Sequence, residues 1–383
     1  MNLKHRIIYA ILRWPVALYI LLKFNYRFKM AKGLPDSYIV LSNHVTDFDP
    51  IFVALSFPKQ MYFVASEHIA RWKNAFKFIR FGFDPIMRYK GSVAASTVME
   101  VLRRVKAGNR VCIFAEGVRT WDGITNPILP ATGKMVKSAR CALVTYKIIG
   151  GYFTSPNWSE GKGTRRGYLR GGVVNVYTAE QLAEMSVDEV NEIINRDLYE
   201  DAYARQLESP KRYKGKGLAE RMENLLFICP ECGEIDSIVS VDNKASCCSC
   251  SHSFTYDEYG MLSGSRFKTI LELSNWQKEE ILKAAQRGET FYASNATLST
   301  VSKHVETHLV SGEASISAEA IRCGSISIPL ADITELAMHG RHAIVFSVGK
   351  TYYELISKHS NMLKFHLLYN AHKANAEKEA ANQ

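Results

Sequence analysis

The chain has 383 residues, 47% hydrophobic and 22% charged, which excludes a disordered or collagen-like protein and suits roughly two or three domains. Its net charge of +10 is unevenly spread: residues 1–225 hold 34 Lys and Arg against 20 Asp and Glu (+14), residues 226–262 hold 1 against 6 (−5), and residues 263–383 hold 13 against 12 (+1). An anionic partner is therefore expected at the N-terminal part, either a membrane surface, a phosphorylated substrate or nucleic acid.

Residues 1–32 carry seven Lys and Arg and no acid, among many Ile, Leu, Tyr and Trp. The apolar run Ile7–Leu22 is interrupted by Arg13 and Pro15. No uninterrupted apolar stretch of about 18 residues occurs, so a membrane-crossing helix is not expected. Pro15 lacks the N–H of an inner helical turn, which predicts two short apolar-basic helices lying in a headgroup layer, with Tyr9, Trp14 and Tyr19 at the interface. A helical hairpin packed on the core is the other reading. No secretory signal with a cleavage site is evident, so a reducing compartment is expected.

Ile39-Val40-Leu41 runs straight into Asn43, His44, Thr46, Asp47 and Asp49, a buried strand ending in a polar loop. Val98, Val101, Leu102 and Val105 fall at spacings of three and four and predict a helix that Gly108 ends. Val111–Phe114 predicts a second buried strand, with Glu116, Gly117, Val118 and Arg119 at its exit. Strand, helix, strand with polar strand ends is the α/β pattern, in which sites gather at the carboxyl edge of the sheet. Neutral histidine suits the removal of a proton from an attacking hydroxyl, and a carboxylate beside it would steady the imidazolium. On spacing alone either Asp47 or Asp49 fits that second role. His252 and Asp257 repeat the spacing of His44 and Asp49 in a different setting, so spacing by itself is weak.

Taken together and in order, Asn43-His44-x4-Asp49, the segment around Arg88, Lys90 and Gly91, and Phe114-x-Glu116-Gly117-x-Arg119 resemble the motifs of the 1-acylglycerol-3-phosphate acyltransferase family. The resemblance covers roughly residues 1–225. Ala115 and Val118 stand where the family has Pro and Thr, and the block Ala139–Gly151 lacks the family's Val-Pro. The resemblance implies a glycerolipid acyltransferase-type αβ sandwich over residues 33–225. It implies that His44 and Asp49 are catalytic and that Asn43, Arg88, Lys90, Glu116, Gly117 and Arg119 bind substrate. It also implies acyl-CoA or acyl-carrier protein as donor, a lysophosphatidic-acid-like acceptor, and a peripheral place on the cytoplasmic face of a membrane. Arg88, Lys90 and Arg119 suit a phosphate chemically, and Glu116 would bond the glycerol part or orient Arg119. No G-x-S-x-G elbow is present, so a covalent acyl-serine is not expected. The rival reading is a non-catalytic membrane adaptor on the same scaffold, which an intact His44 and Asp49 disfavour.

Cys229-x2-Cys232 and Cys247-x2-Cys250, fourteen residues apart, predict a zinc ribbon over residues 226–262. Four thiolates would close the coordination of one structural Zn²⁺, with Cys248 a bystander. Two matched pairs favour metal over a redox C-x-x-C. The charge of −5 argues against binding a phosphate backbone, so no nucleic-acid partner is expected.

Residues 263–289 read as a linker helix, with Ser274 and Gln277 in capping-box spacing. From Phe291 the periodicity falls to two, giving short strands, and the final stretch returns to helix with Met362, Phe365, Leu368 and Tyr369 on one face. Such a strand series closed by one helix resembles a pleckstrin-homology-like domain, here residues 290–383, and implies a β-barrel-like module whose protein partner is unknown. The charge of +1 over residues 263–383 gives no case for an anionic-lipid pocket. His304 and His308 read as surface residues of a strand.

Overall fold

The computed structural model describes residues 3–66, 73–88, 94–162, 164–302 and 305–381, and the chain divides into two units, Met1–Lys216 and Gly217–Gln383. The strands of the first unit are β1 (Tyr26–Phe28), β2 (Tyr38–Ser42), β3 (Tyr62–Ser66), β4 (Ile86–Arg88), β5 (Arg110–Phe114), β6 (Ala142–Ile149) and β7 (Leu169–Tyr177). They form one sheet in the order β1-β7-β6-β2-β5-β3-β4. β2 lies parallel to β5 and β6, β3 parallel to β4 and β5, and β1 parallel to β7, whereas β6 and β7 run antiparallel. The carboxyl ends of β2 to β6 thus share one edge.

The helices of this unit are α1 (Leu3–Phe24), α2 (Asp49–Leu55), α3 (Lys73–Phe83), α4 (Ala94–Lys106), α5 (Ala131–Ala139), α6 (Gly151–Thr154), α7 (Ala179–Glu184), α8 (Val187–Leu198) and α9 (Ala202–Glu208). They cover both faces of the sheet, so β2 is buried on both and its sequence is a continuous apolar run, without alternation. On one face Ile39, Leu41, Val111 and Leu143 pack with Val101 and Val105 of α4, Val136 of α5 and Val190 and Ile194 of α8. On the other, the Tyr26 ring stacks on Phe52 of α2 at 4.6 Å, and Phe57 meets Tyr146 at 5.8 Å. Each such side chain contributes about 1.5–3 kcal/mol by leaving water.

Two expectations for the N-terminus are corrected. α1 is one helix that continues through Pro15, not two pieces. The turns before the proline are pinned to the body of the unit, Tyr9 donating to the carbonyls of Ala54 (2.6 Å) and Phe57 (2.7 Å) and Arg13 to that of Leu55 (2.8 Å), and after it the Leu22 carbonyl accepts from Arg166 Nε (3.0 Å). At 22 residues α1 is also long and apolar enough to cross a membrane by length and composition, because its charges lie mostly near its ends. His5, Ile20 and Phe24 are buried against the unit, while Leu3, Ile7, Ile11, Trp14, Leu18 and Leu22 form an exposed apolar stripe.

The second unit begins with a four-stranded antiparallel sheet of β8 (Ile238–Val241), β9 (Lys244–Cys247), β10 (Ser253–Tyr256) and β11 (Leu262–Ser263), ordered β11-β10-β9-β8. Helix α10 (Ile270–Gln286) follows. Its capping box is Thr269 with Glu272, not Ser274 with Gln277, which lie buried inside the helix. Gln277 is used differently, accepting from the Phe227 and Ile228 N–H groups (2.8 and 3.0 Å) and donating to the Leu225 carbonyl (2.9 Å). These bonds hold the segment leading into the first cysteine pair.

The remaining strands are β12 (Phe291–Ser302), β13 (Val305–Ile316), β14 (Ala320–Cys323), β15 (Ile326–Pro329), β16 (Ile333–His339), β17 (Ala343–Val348) and β18 (Thr351–Ile356). Their order is β15-β14-β13-β12-β18-β17-β16, with helix α11 (Leu363–Ala381) after them. β15 and β16 are the two edges, so the expected barrel is a curled half-barrel. β15 ends at Pro329, which offers no N–H to a neighbour, and a 3₁₀ turn at Leu330–Asp332 separates the two edge strands. Phe365 and Leu368 are fully buried, as the helical spacing predicts. His308 is exposed on β13, with Nε2 3.0 Å from the Ser311 hydroxyl, and His304 lies outside the described residues.

Candidate active site

β2 delivers Ser42 to the carboxyl edge of the sheet, and the six residues from Asn43 to Phe48 turn the chain into α2. Asn43 sets the turn's origin. Its carboxamide donates to the Ile148 carbonyl at 2.9 Å and accepts from the Ile148 N–H at 2.8 Å, locking the loop to β6. That amide is spent on backbone rather than aimed at a substrate.

Asp49 is fully buried and sits at the start of α2. Its carboxylate accepts from the N–H groups of Val45 (2.5 Å) and Thr46 (2.9 Å) and from the Thr46 hydroxyl (2.7 Å). Four donors converge on it, the fourth being His44, whose Nδ1 lies 2.8 Å from Asp49 Oδ2. A carboxylate only accepts, so Nδ1 carries the proton and Nε2 is left as the basic nitrogen. Asp47, equally spaced in sequence terms, points elsewhere: its carboxylate lies 2.7 Å from Arg119 Nη1.

The His44 backbone is clamped at both ends, donating to Glu116 Oε1 at 2.6 Å and accepting from the Thr120 N–H at 3.0 Å. Its ring stacks on Phe114, the last residue of β5, with centroids 4.4 Å apart, and keeps 21% of its side chain exposed. The imidazole is therefore fixed yet reachable.

Glu116 does not orient Arg119. Its carboxylate bridges His44 to Asn126, whose N–H (2.6 Å) and side-chain amide (2.9 Å) both donate to Oε2. Burial pushes its carboxyl up to about 8, against the pull of those N–H donors. Gly117 has φ +71°, a conformation that favours glycine, and a Cβ there would lie 3.3 Å from Arg88 Nη1, which places that guanidinium beside the turn. The structure thus gathers His44, Asp49, Asn43, Glu116, Gly117, Arg119 and Arg88 at one edge of the sheet. Lys90 lies outside the described residues.

Residues 27–149 match the protein-family model described as Acyltransferase. The matched segment contains every residue of the site just described. Among solved structures the chain is similar to the 1-acyl-sn-glycerophosphate (LPA) acyltransferase PlsC from Thermotoga maritima, at 18% identity and a TM-score of 0.41, over 51% of this chain and 76% of that one. A search of curated proteins finds no match.

Sequence reasoning missed the roles of four residues of this site. Thr46 and Phe114 hold the pair from below, Asn126 completes the Glu116 bridge, and Asp47 holds Arg119. Thr46 stands three residues before Asp49, a spacing that could have suggested the hydroxyl–carboxylate bond. Asn126 lies far along the chain and carries no such signal.

In the second unit the Sγ atoms of Cys229, Cys232, Cys247 and Cys250 all lie within 4.8 Å of one another. Cys229 faces Cys250 at 3.7 Å, and Cys232 faces Cys247 at 3.8 Å. A tetrahedral ion with metal–sulfur bonds of about 2.3 Å has sulfur–sulfur edges of about 3.8 Å, so the four thiols fit a metal of that size. The facing sulfurs belong to different C-x-x-C pairs and all four thiols are free, which suits an ion better than a dithiol redox couple. Cys248 is exposed and outside the cluster.

Proposed function

We propose that this chain is a peripheral membrane acyltransferase, on the cytoplasmic face, that moves a fatty acyl group from a thioester carrier to the hydroxyl of a lysophosphatidic-acid-like glycerolipid. The observation that carries the proposal is the His44–Asp49 pair at 2.8 Å, fixed on an open edge beside Arg119 and Arg88.

In this reading the acceptor hydroxyl gives its proton to His44 Nε2 as its oxygen attacks the thioester carbonyl. Asp49 stabilises the imidazolium that forms. The tetrahedral intermediate collapses with loss of the carbon–sulfur bond, and the leaving thiolate takes the proton back from His44. Oxygen has replaced sulfur on the acyl carbon, and the enzyme is unchanged. Arg119, oriented by Asp47, and Arg88, against Gly117, would receive the acceptor's phosphate, with Lys90 a further candidate. Asn43, Glu116 and Gly117 act through the loop rather than on substrate. The donor is acyl-CoA or acyl-carrier protein.

The exposed stripe of α1 supports membrane association, and the bonds of Tyr9 and Arg13 favour a helix lying in the interface over one that leaves the protein to cross the bilayer. The four cysteines are read as a zinc ribbon, with Zn²⁺ as a structural ion that stabilises a small sheet. The half-barrel with α11 is read as a pleckstrin-homology-like module of unknown partner.

Incubation of the purified protein with acyl-CoA or acyl-carrier protein and a panel of lysolipids, with products identified by mass, tests the activity. Acylated lysophosphatidic acid is the expected product, and no transfer from either donor ends the reading. One zinc per chain by elemental analysis is expected, and a metal-free, fully folded chain would overturn the ribbon.

A further inference from the structure

Residues 161–170 contain Lys162, Arg165, Arg166 and Arg170, and residues 211–216 contain Lys211, Arg212, Lys214 and Lys216, with no acid in either segment. The fold brings the two together through an antiparallel bridge, Arg166 N–H to the Lys214 carbonyl at 2.9 Å and Lys214 N–H to the Arg166 carbonyl at 3.0 Å. Lys162, Arg166, Arg212, Lys214 and Lys216 are exposed, while Arg165 is buried, its guanidinium 5.5 Å from the Trp158 ring. Glu160 and Glu208 flank the two segments in sequence, and Glu200 is met by Arg205 at 2.5 and 2.8 Å. The result is a concentrated positive surface.

Its position gives that charge a partner. Arg166 Nε donates to the Leu22 carbonyl at 3.0 Å, and the Asn25 side chain donates to the Gly167 carbonyl at 3.0 Å. The basic surface therefore starts where α1 ends, next to the exposed Leu18, Tyr19 and Leu22. An apolar stripe that continues into a cluster of cations matches a bilayer with anionic headgroups, since acyl chains meet the first and lipid phosphates the second. An acidic carrier protein would match the charge but not the stripe. A cleft of about 210 Å³, lined in part by Tyr168, Lys211 and Tyr213, lies beside the surface and shares Gly150, Glu200 and Ala202 with the crevice next to His44.

We propose that Lys162, Arg166, Arg212, Lys214 and Lys216 form a docking surface for anionic phospholipid headgroups. It holds the chain on the bilayer with the catalytic edge close to the lipid. This inference rests on the membrane reading of α1.

The test is co-sedimentation of the full chain with vesicles of phosphatidylcholine alone and of phosphatidylcholine mixed with phosphatidylglycerol. The wild type should bind the anionic vesicles more tightly, with an advantage that falls as salt rises. The triple variant Lys162→Ser, Lys214→Ser, Lys216→Ser should bind anionic vesicles on the order of 100-fold more weakly, and neutral vesicles unchanged. All three side chains are exposed, and an unaltered thermal melt will verify the fold. Equal binding of the wild type to both vesicles, or full anionic binding by the variant, overturns the docking surface and leaves the membrane reading standing. Wild type that sediments with neither vesicle overturns both. A variant that keeps anionic binding but loses transfer from acyl-carrier protein assigns the surface to an acidic protein and overturns the lipid proposal.

Discussion

Asp49 follows His44 by five positions, and Asp257 follows His252 by five. Between the first two the chain turns, and the Asp49 N–H approaches the Thr46 carbonyl (3.4 Å) as α2 begins, which brings ring and carboxylate to 2.8 Å. Between the second two runs β10, and five extended steps span about 17 Å. Asp257 there turns to its own loop, accepting from the Tyr259 and Met261 N–H groups, both at 2.8 Å. One spacing gives a hydrogen-bonded His–Asp pair in one unit and two unrelated residues in the other. A turn makes the pair, and the edge of a parallel sheet surrounds it with Arg119, Glu116 and Phe114.

The strongest way to break this contrast is His44→Ala. Loss of the general base should lower turnover by about 1,000-fold, with a far-UV spectrum and melting temperature close to wild type. A folded variant that turns over near normally would remove the base from the mechanism. Asp49→Asn should come next, with turnover down about 100-fold. An amide offers one acceptor where the carboxylate serves four donors, so urea unfolding should also show a loss of about 2–3 kcal/mol. Activity lost without that loss of stability would mean that the four bonds do not hold the loop.

Much of this was legible in sequence, for reasons that differ by element. Buried parallel strands such as Tyr38–Ser42 are apolar throughout, and that pattern survives without knowledge of their partners. The four cysteines announce themselves because metal coordination fixes their spacing. The choice of Asp49 over Asp47 came from family likeness, since a turn's closure depends on backbone angles that spacing does not encode. The role of Glu116 was misread because its partners, the His44 N–H and Asn126, are set by tertiary approach. Local propensity predicts a break at Pro15, whereas Tyr9 and Arg13 fasten the turns before it and Arg166 holds the Leu22 carbonyl after it.

Glu116 sharpens the contrast through pH. Its carboxyl titrates near the ordinary 4.5 when unfolded and at about 8 when buried. Below 4.5 it is protonated in both states and costs nothing; between 4.5 and 8 the folded state holds a proton that the unfolded state has released. Stability should therefore fall as pH rises through that window, by at most about 1.4 kcal/mol per pH unit. Glu116→Gln removes the titration and should flatten that fall, measured as melting temperature across pH. An identical slope in both proteins would show that the buried carboxyl is not the source.

The smallest effect belongs to the second histidine. His252→Ala should leave acyl transfer unchanged, because its ring meets Phe254 at 6.2 Å and its structural bond, from the Cys247 N–H at 2.8 Å, uses the backbone carbonyl that alanine retains. The stability cost should stay near the roughly 1 kcal/mol typical of a single substitution. The measurement decides more than its size suggests, since the two histidines share the same spacing to an aspartate and differ in the sequence and fold around them. Equal loss of transfer from His44→Ala and His252→Ala would mean that the assay reads global integrity, and the case for a base at His44 would have to rest on pH–rate data instead.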